Sequence, residues 1–535
     1  LNAEGNIYQY SFIQLKEDIE ALGTKLLDLG LQGKHFALIG DSSYSYVVSY
    51  LAVVNGIGVI VPLDKELPND DLIKLVYKSD AEVILYSNCL LADIDEIKSA
   101  CKDVSTTINI SMYADSYKDL NFNLLVSEGM EMINQGDTRY KDIVLDPLAL
   151  SSILFTSGTT GANKGVMLCH KNLVTVIHSA FSLFKLTDVS FSVLPINHTY
   201  EFNVHVLGTI YDGITLCFND SIMHVKENLL KFKPGMSLMV PMIVEALYKN
   251  IWKEAEKNRL DKHLKYGIWF SNVIRKVGID KRELFFKPVL EALGGNLRII
   301  VCGGAPLRPE LVKGFDDLGI QVYNGYGITE CAPLISSNCT LKNVPGSVGF
   351  IVPDNQVRIS DKEMDGTGEI QVKGDNVMLG YYKDEESTKK TFTEDGWFKT
   401  GDIGYIDKHG ALYITGREKN LIILTNGKNV HPEELEEYLM TNLDYVREVV
   451  VYAPEPFGCL DVLITAEAFI DPDYLAEVGM ERARMIFTED VKRLNRKLAS
   501  YKRIQNSAVR ETEFDKTTTK KIKRFAVVKE EIKNA

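Results

Sequence analysis

At 535 residues the chain is too long for a single hydrophobic core and requires at least two domains. Hydrophobic residues at 45% and charged residues at 25% exclude the disordered and collagen-like classes. A net charge of −13, from 60 basic and 73 acidic residues, argues against a nucleic-acid binder and against strong attraction to an anionic membrane, which leaves small-molecule chemistry in the cytoplasm as the expectation.

The first residues, LNAEGNIYQYSF, have neither a basic start nor an apolar signal core, and so abrupt an opening leaves room for native residues before Leu1. FALIGD (36–41) reads as a buried strand, SYSYVVSYLAVVNG as a helix with Ser42 or Ser43 at its N-cap, and VIVPLD (59–64) as the next strand. Strand, helix, strand is a βαβ unit and implies a parallel sheet, and AEVILYS (81–87) repeats the strand signal. The most apolar stretch, 46–63, contains Ser49, Asn55, Gly56 and Gly58 and is read as a buried helix and strand, not a membrane span. Eight Cys without a CxxC pair or regular spacing argue against a zinc site and a disulfide framework; Cys302 and Cys331 are read as packing residues.

FTSGTTGANKGVML (155–168) is the first stretch that carries chemistry. A Walker loop, G-x-x-x-x-G-K-[ST], fails here: two residues separate Gly161 from Lys164, and Gly165 follows the lysine. The physics of an anion nest survives. Gly158 and Gly161 leave backbone N–H groups free, Thr156, Ser157, Thr159 and Thr160 add hydroxyls, and Lys164 adds a positive charge. A plain surface turn is the alternative, but it needs one or two glycines and no run of donors. Leu173, Val176, Ile177, Ala180, Phe181 and Phe184 recur at helical spacing, so the loop 156–165 is expected to join the strand 151–155 directly to an amphipathic helix. RIIVCGG (298–304) and QVYNGYG (321–327) are further strand-to-glycine transitions, where ligands of open α/β sheets bind.

From about 345 short or alternating runs (QVRISD, GEIQVKG, ALYITG) separated by Gly and Asp read as a small antiparallel barrel or sandwich. Past Arg417 come a helix, strands, a long helix over about 474–499 and a final strand, with a tight hinge at 417–420. The expected architecture is α/β: a large N-terminal domain of stacked βαβ sheets with a small β-barrel, followed by a small α+β domain.

The run T-S-G-T-T-G-x-x-K-G resembles the phosphate loop of the adenylate-forming superfamily: acyl-CoA synthetases, peptide-synthetase adenylation domains and luciferases. Asn163 stands where that family often has Pro. CGGAPL (302–307) and YNGYGITE (323–330) are similar to its adenine pocket and the neighbouring segment. The resemblance implies that Gly303, Gly304, Ala305, Pro306, Gly325 and Gly327 line the nucleotide. It further implies that Asn324 contacts the adenine amino group, Tyr326 stacks on the ring, Thr329 reaches the α-phosphate, and Glu330, with Thr159, holds Mg²⁺. A hard cation on polyphosphate needs only one or two protein oxygens.

GWFKTGDIGYIDKHGALYITGREKNLIILTNGKNVHPEELE (396–436) is the longest similar stretch. By resemblance Asp402 accepts the ribose hydroxyls, Arg417 donates to ribose or phosphate, Lys419 is the hinge, and Asn426–Gly427 lines the pantetheine path. EFDKTTTKKIKR (513–524) aligns with the family's ending P-K-T-x-x-G-K-I-x-R and puts Lys521 on the catalytic lysine, with Asp515 replacing Pro and Lys520 replacing Gly. The implied domains are an AMP-binding domain over 1–418, made of two α/β subdomains to about 344 and a β-barrel subdomain over about 345–416, and a mobile lid over 419–535.

The implied reaction uses ATP and Mg²⁺ to turn a carboxylic acid into acyl-AMP with release of pyrophosphate, then forms a thioester with CoA. LPINHTYEFNVHVLG (194–208) is expected to line the acyl site, with His198 as gate; Asn197 and His198 fill the slot where an amino-acid activator wants a carboxylate, which favours an uncharged, fatty acyl tail. The region 252–297 mixes Trp252, Trp269, Phe270, Phe285 and Phe286 with many Lys and Arg and points to the long-chain acyl-CoA synthetase branch. It is read as a solvated amphipathic helix, with weak peripheral contact to membrane lipid or to an acidic carrier protein as the alternative. The competing functions are an acyl-acyl-carrier-protein ligase or fatty acyl-AMP ligase using a carrier in trans, and a catalytically silent nucleotide- or acyl-binding regulator.

Overall fold

The computed structural model describes residues 7–112, 120–157, 163–184, 187–424, 428–453, 463–516, 522–524 and 526–527. The chain divides into two compact units: Leu1–Gln356 with Val372–Phe398, and Val357–Gln371 with Lys399–Ala535.

The first unit is built on two sheets. The βαβ reading of the N-terminal region holds: His35–Ile39 pairs in parallel with Val59–Leu63, and the intervening helix Tyr44–Ala52 is capped by Ser43, whose Oγ accepts from the Tyr46 amide at 3.2 Å. Helices cover these strands, so they are buried and read as unbroken apolar runs. Phe36, Leu38, Tyr46, Tyr50 and Val83 form the packed core on one side, and Ile39, Val61, Ile84 and Tyr86 on the other. Leu150–Ser157 joins Val59–Leu63 in parallel, through Ile60 and Ser152.

The phosphate-loop segment departs from the expected connection. Asn163–Cys169 forms a strand that returns antiparallel to Leu150–Ser157 before the helix His170–Phe181 begins. The described flanks, 150–157 and 163–169, are therefore paired strands, and the helix does not follow Lys164 directly as expected. Val166 and Leu168 alternate into the core as a strand requires, and helical spacing starts only beyond Cys169. Gly380–Tyr381 adds a short edge strand to this hairpin, with Tyr381 opposite Val166.

The second sheet places Met236–Met239, Ile299–Cys302 and Gln321–Gly327 side by side in parallel. Its core is Phe191, Met239, Ile300, Phe315 and Val322. Past Gly327 the chain turns back antiparallel through Leu334–Ser337. The basic and aromatic region forms the helices Pro241–Lys257, Asp261–Arg275, Arg282–Phe285 and Lys287–Ala292. In Asp261–Arg275, Leu264 and Ile268 pack on the core of the second sheet, while Tyr266, Trp269, Phe270 and Val273 stand exposed on the outer face.

The second unit contains most of a four-stranded sheet, in the order Asn355–Ser360, Gly368–Gly374, Phe398–Ile406, Leu412–Arg417. Beyond it lie the helix Pro432–Asn442 and a three-stranded sheet of Val446–Tyr452, Thr465–Ile470 and Asn506–Arg510 around Leu435, Leu439, Val449, Phe487 and Leu494. The expected long helix is two, Pro472–Val478 and Met480–Asn495, because Gly479 adopts φ +81° between them. Among the described residues no helix is long and apolar enough to cross a membrane.

Candidate active site

In the first unit the hairpin sets the position of Lys164. It stands opposite Thr156, and Lys78 donates from Nζ to the Asn163 carbonyl beside it. Gly158, Thr159, Thr160 and Gly161, including the expected second Mg²⁺ ligand Thr159, lie outside the described residues, and for Ser157 only the backbone is described.

The other half of this site is the turn after Gln321–Gly327. A Cβ at Gly327 would lie 1.9 Å from the Pro333 carbonyl oxygen, so only glycine allows the chain to fold back here. The reversal puts Thr329 and Glu330 in one helical turn, Thr329–Cys331. The Cys331 carbonyl at its end accepts from Asn376 Nδ2 at 3.0 Å, and the Glu330 carbonyl accepts from the Met378 amide at 2.8 Å.

Tyr381 joins the two halves. Its hydroxyl donates to Glu330 Oε1 at 2.9 Å, and Lys164 Nζ lies 4.7 Å from the centroid of its ring. Burial, reinforced by the Glu330 charge, holds the phenol well above its ordinary pKa, so it is neutral and a donor. The next residue is locked the opposite way: the Tyr382 hydroxyl donates to Asp80 Oδ2 at 2.5 Å, and its amide donates to the Gly165 carbonyl at 2.7 Å. Tyr382 is thus anchored to Asp80 and to the hairpin while the neighbouring Tyr381 reaches Glu330. Sequence reasoning missed Tyr381, because its strand is two residues long and its partners come from two distant segments.

Asn324 is buried, and its Oδ1 has no partner, while Nδ2 donates to the Ser347 carbonyl at 3.3 Å. A buried carbonyl oxygen without a donor fits an exocyclic amino group. Tyr326 is 8% exposed, and Gly325 pairs with Ser337. Gly303 is buried against Tyr200, whose hydroxyl donates to the Val301 carbonyl at 2.9 Å; Gly304, Ala305 and Pro306 are exposed.

His198 is half-buried at the head of the π-helical segment Tyr200–Val206. Glu201, in that segment, is fully buried, and its Oε1 faces His205 Nδ1 at 2.9 Å, while His205 Nε2 lies 2.5 Å from Ser190 Oγ. His205 thus bridges the Glu201 carboxyl and the Ser190 hydroxyl, one through each ring nitrogen. Glu201 is thereby engaged inside the protein, in keeping with an uncharged acyl tail.

The second unit carries the remaining residues. Asp402 and Arg417 are register partners on neighbouring strands, and Arg417 Nε donates to the 3% exposed Asp402 at Oδ1, 2.9 Å away. Burial pushes the Lys419 ammonium down to about 8; the Arg417 charge adds to this and Asp402 opposes it. The adjacent Asn420 donates to Glu433 Oε1 at 2.5 Å. Lys521 and Asn426–Gly427 lie outside the described residues, but the flanks of the lysine segment are placed. Lys516 and Ile522 form an antiparallel bridge, and the Arg524 guanidinium pairs with Glu436 and donates to the Val451 carbonyl at 3.2 Å. Burial pushes the Glu436 carboxyl up to about 7, against the pull of Arg524.

The donor set of the first unit suits a polyphosphate and a hard cation. Among the described residues no group of three or more His, Cys, Asp or Glu could hold a metal by itself. A single carboxylate beside phosphate oxygens is how Mg²⁺ is commonly held.

Residues 3–382 match the model of AMP-binding enzymes, and residues 419–534 match the AMP-binding enzyme C-terminal domain. The chain belongs to the AMP-binding enzyme family. It is 28% identical to long-chain-fatty-acid–CoA ligase 6 of Rattus norvegicus over 508 residues, covering 89% of this chain and 72% of the relative. It is also 28% identical to long-chain-fatty-acid–CoA ligase FadD15 of Mycobacterium bovis over 506 residues, covering 86% of this chain and 81% of the relative. The fold is that of ATP-bound MatB from Rhodopseudomonas palustris, with a TM-score of 0.76 at 24% identity over 99% of this chain and 94% of that one. The fatty acyl CoA synthetase of Mycobacterium tuberculosis superposes with a TM-score of 0.65 at 21% identity, over 98% and 93% of the two chains. Of the residues expected from the sequence of this AMP-binding enzyme, Lys164, Asn324 and Glu330 belong to the first compact unit and Asp402, Arg417 and Lys419 to the second.

Proposed function

We propose that the chain is a fatty-acid–CoA ligase of the AMP-forming type. The acid's carboxylate oxygen attacks the α-phosphorus of ATP, the bond to the β-phosphate oxygen breaks, and pyrophosphate leaves. The sulfur of CoA then attacks the acyl carbonyl carbon, and AMP leaves. The observation that carries this reading is the meeting of Lys164 and Glu330 on the two sides of Tyr381: a cation for the β- and γ-phosphates and a hard-oxygen ligand for Mg²⁺ lie within reach of one nucleotide. The first step brings two anions together, so these residues act by positioning and neutralising charge. Mg²⁺, when bound at Glu330, supplies further positive charge at the phosphates. Asn324 selects adenine, Asp402 takes the ribose, and Lys521 approaches the α-phosphate from the domain that begins at 419.

The sequence relatives named as long-chain-fatty-acid–CoA ligases, and the internal pairing of Glu201, support a fatty acid as the substrate. CoA is the favoured acceptor and an acyl carrier protein the alternative. The exposed stripe Tyr266, Trp269, Phe270 and Val273, flanked by Lys262, Lys265 and Lys276, supports peripheral contact with a lipid surface, where a fatty acid resides. Pyrophosphate exchange with a panel of acids tests the adenylation step, and AMP release with CoA against holo-carrier protein tests the acceptor. Exchange fastest with long-chain fatty acids is expected. No exchange with any acid would leave a silent binder and defeat the reading.

A further inference from the structure

We infer that Tyr381 is a positioning residue that holds the phosphate-binding lysine and the metal-binding carboxylate apart and ready before nucleotide arrives. Lys164 and Glu330 carry opposite charges and approach the same tyrosine, yet no direct ion pair forms between them. A bare pair would collapse into a contact that ATP and its cation would have to break. The ring occupies that space. It offers its face to the ammonium and its hydroxyl to one carboxylate oxygen, and both contacts exchange readily for phosphate and cation. The hydroxyl binds Oε1 and so orients the carboxylate plane, leaving Oε2 as the oxygen for a divalent ion.

The tyrosine is itself held from behind. Gly380 and Tyr381 pair with Met167 and Val166 of the hairpin, the Tyr381 amide donates to Thr388 Oγ1 at 2.9 Å, and Asp80 holds Tyr382 on the other face. The same short segment binds the Glu330 backbone through the Met378 amide. The hairpin is therefore coupled to Glu330 both through the Tyr381 side chain and through the backbone of this segment.

The inference rests on the proposed roles of Lys164 and Glu330, and the test separates the two. ATP binding is measured by calorimetry on the full chain, once with Mg²⁺ and once with EDTA. Wild type is expected to bind ATP more tightly with Mg²⁺. Tyr381→Phe keeps the ring under Lys164 and loses the hydroxyl, so it should bind ATP as wild type does in EDTA and about tenfold more weakly with Mg²⁺. Tyr381→Leu removes the ring as well and should weaken ATP binding in both conditions. Glu330→Gln should cost less Mg²⁺-dependent affinity in the Tyr381→Phe background than it does in wild type. If wild type gains nothing from Mg²⁺, the metal role of Glu330 fails and the inference falls with it. If wild type gains but Tyr381→Phe gains equally, or Tyr381→Phe loses equally in EDTA, only the positioning role is overturned. A lowered melting temperature of Tyr381→Phe with an unchanged Mg²⁺ effect would likewise reduce the hydroxyl to a structural bond.

Discussion

Gly327 shows how one residue sets the site. The Pro333 carbonyl oxygen fills the space a Cβ needs, so Gly327→Ala must push apart two paired backbone segments. A loss of about 1–3 kcal/mol in unfolding free energy is expected by urea titration, together with weaker ATP binding, because Thr329 and Glu330 follow directly. Lys419 makes a second residue-scale prediction. Its value near 8 lies below the ordinary 10.5, so folding disfavours its charged form: the group costs stability below about 8, and that cost fades as pH rises toward 10.5. At pH 8 it should acylate about tenfold faster than an ordinary surface lysine, read by mass spectrometry after brief acetic anhydride treatment. Labelling no faster than the mean of the other lysines would count against the perturbed environment. The types of Asn324, Glu330 and Asp402 were readable in the sequence because each sits in a dense local pattern. Tyr381 and the Glu201–His205–Ser190 chain were not, since each depends on partners that only the fold assembles.

Elements were legible where periodicity ran long. The parallel strands and the helix Tyr44–Ala52 announced themselves through buried apolar runs and a serine cap. The return strand Asn163–Cys169 did not, because burial on both faces leaves no clean polar–apolar alternation and a strong helical pattern follows at once. The break at Gly479 was overlooked for a related reason: apolar spacing continues on both sides, and only the left-handed backbone ends the first helix. The helix Asp261–Arg275 carries a prediction of its own. An apolar stripe facing solvent and edged by lysines should settle into an anionic lipid surface. The full chain should co-sediment with vesicles containing phosphatidylserine more than with neutral vesicles, and less at high salt. Trp269→Ser with Phe270→Ser should abolish the difference; equal sedimentation by wild type and variant would assign the stripe elsewhere.

At the scale of the whole molecule, the division of labour between the two halves of the reaction is the main test. Lys521→Ala should lose adenylation by about 10²–10³-fold while thioester formation from supplied acyl-AMP is largely retained. Lys419→Pro should do the reverse, which is the outcome expected of a hinge at that residue. Single-turnover assays of each half distinguish these outcomes, and parallel losses in both halves for either variant would refute the hinge scheme. Within the second unit a Cβ at Gly416 would meet Glu433 Oε2 at 2.7 Å and His431 Nδ1 at 3.1 Å, so the helix Pro432–Asn442 has a seat that exists only without a side chain there. The sealed Glu201–His205–Ser190 relay has a different consequence. It ties the π-helical segment Tyr200–Val206 to Ser190 from inside, out of reach of solvent. A descendant of this chain that came to prefer a different acid is therefore expected to change exposed positions around this segment and to keep Glu201, His205 and Ser190.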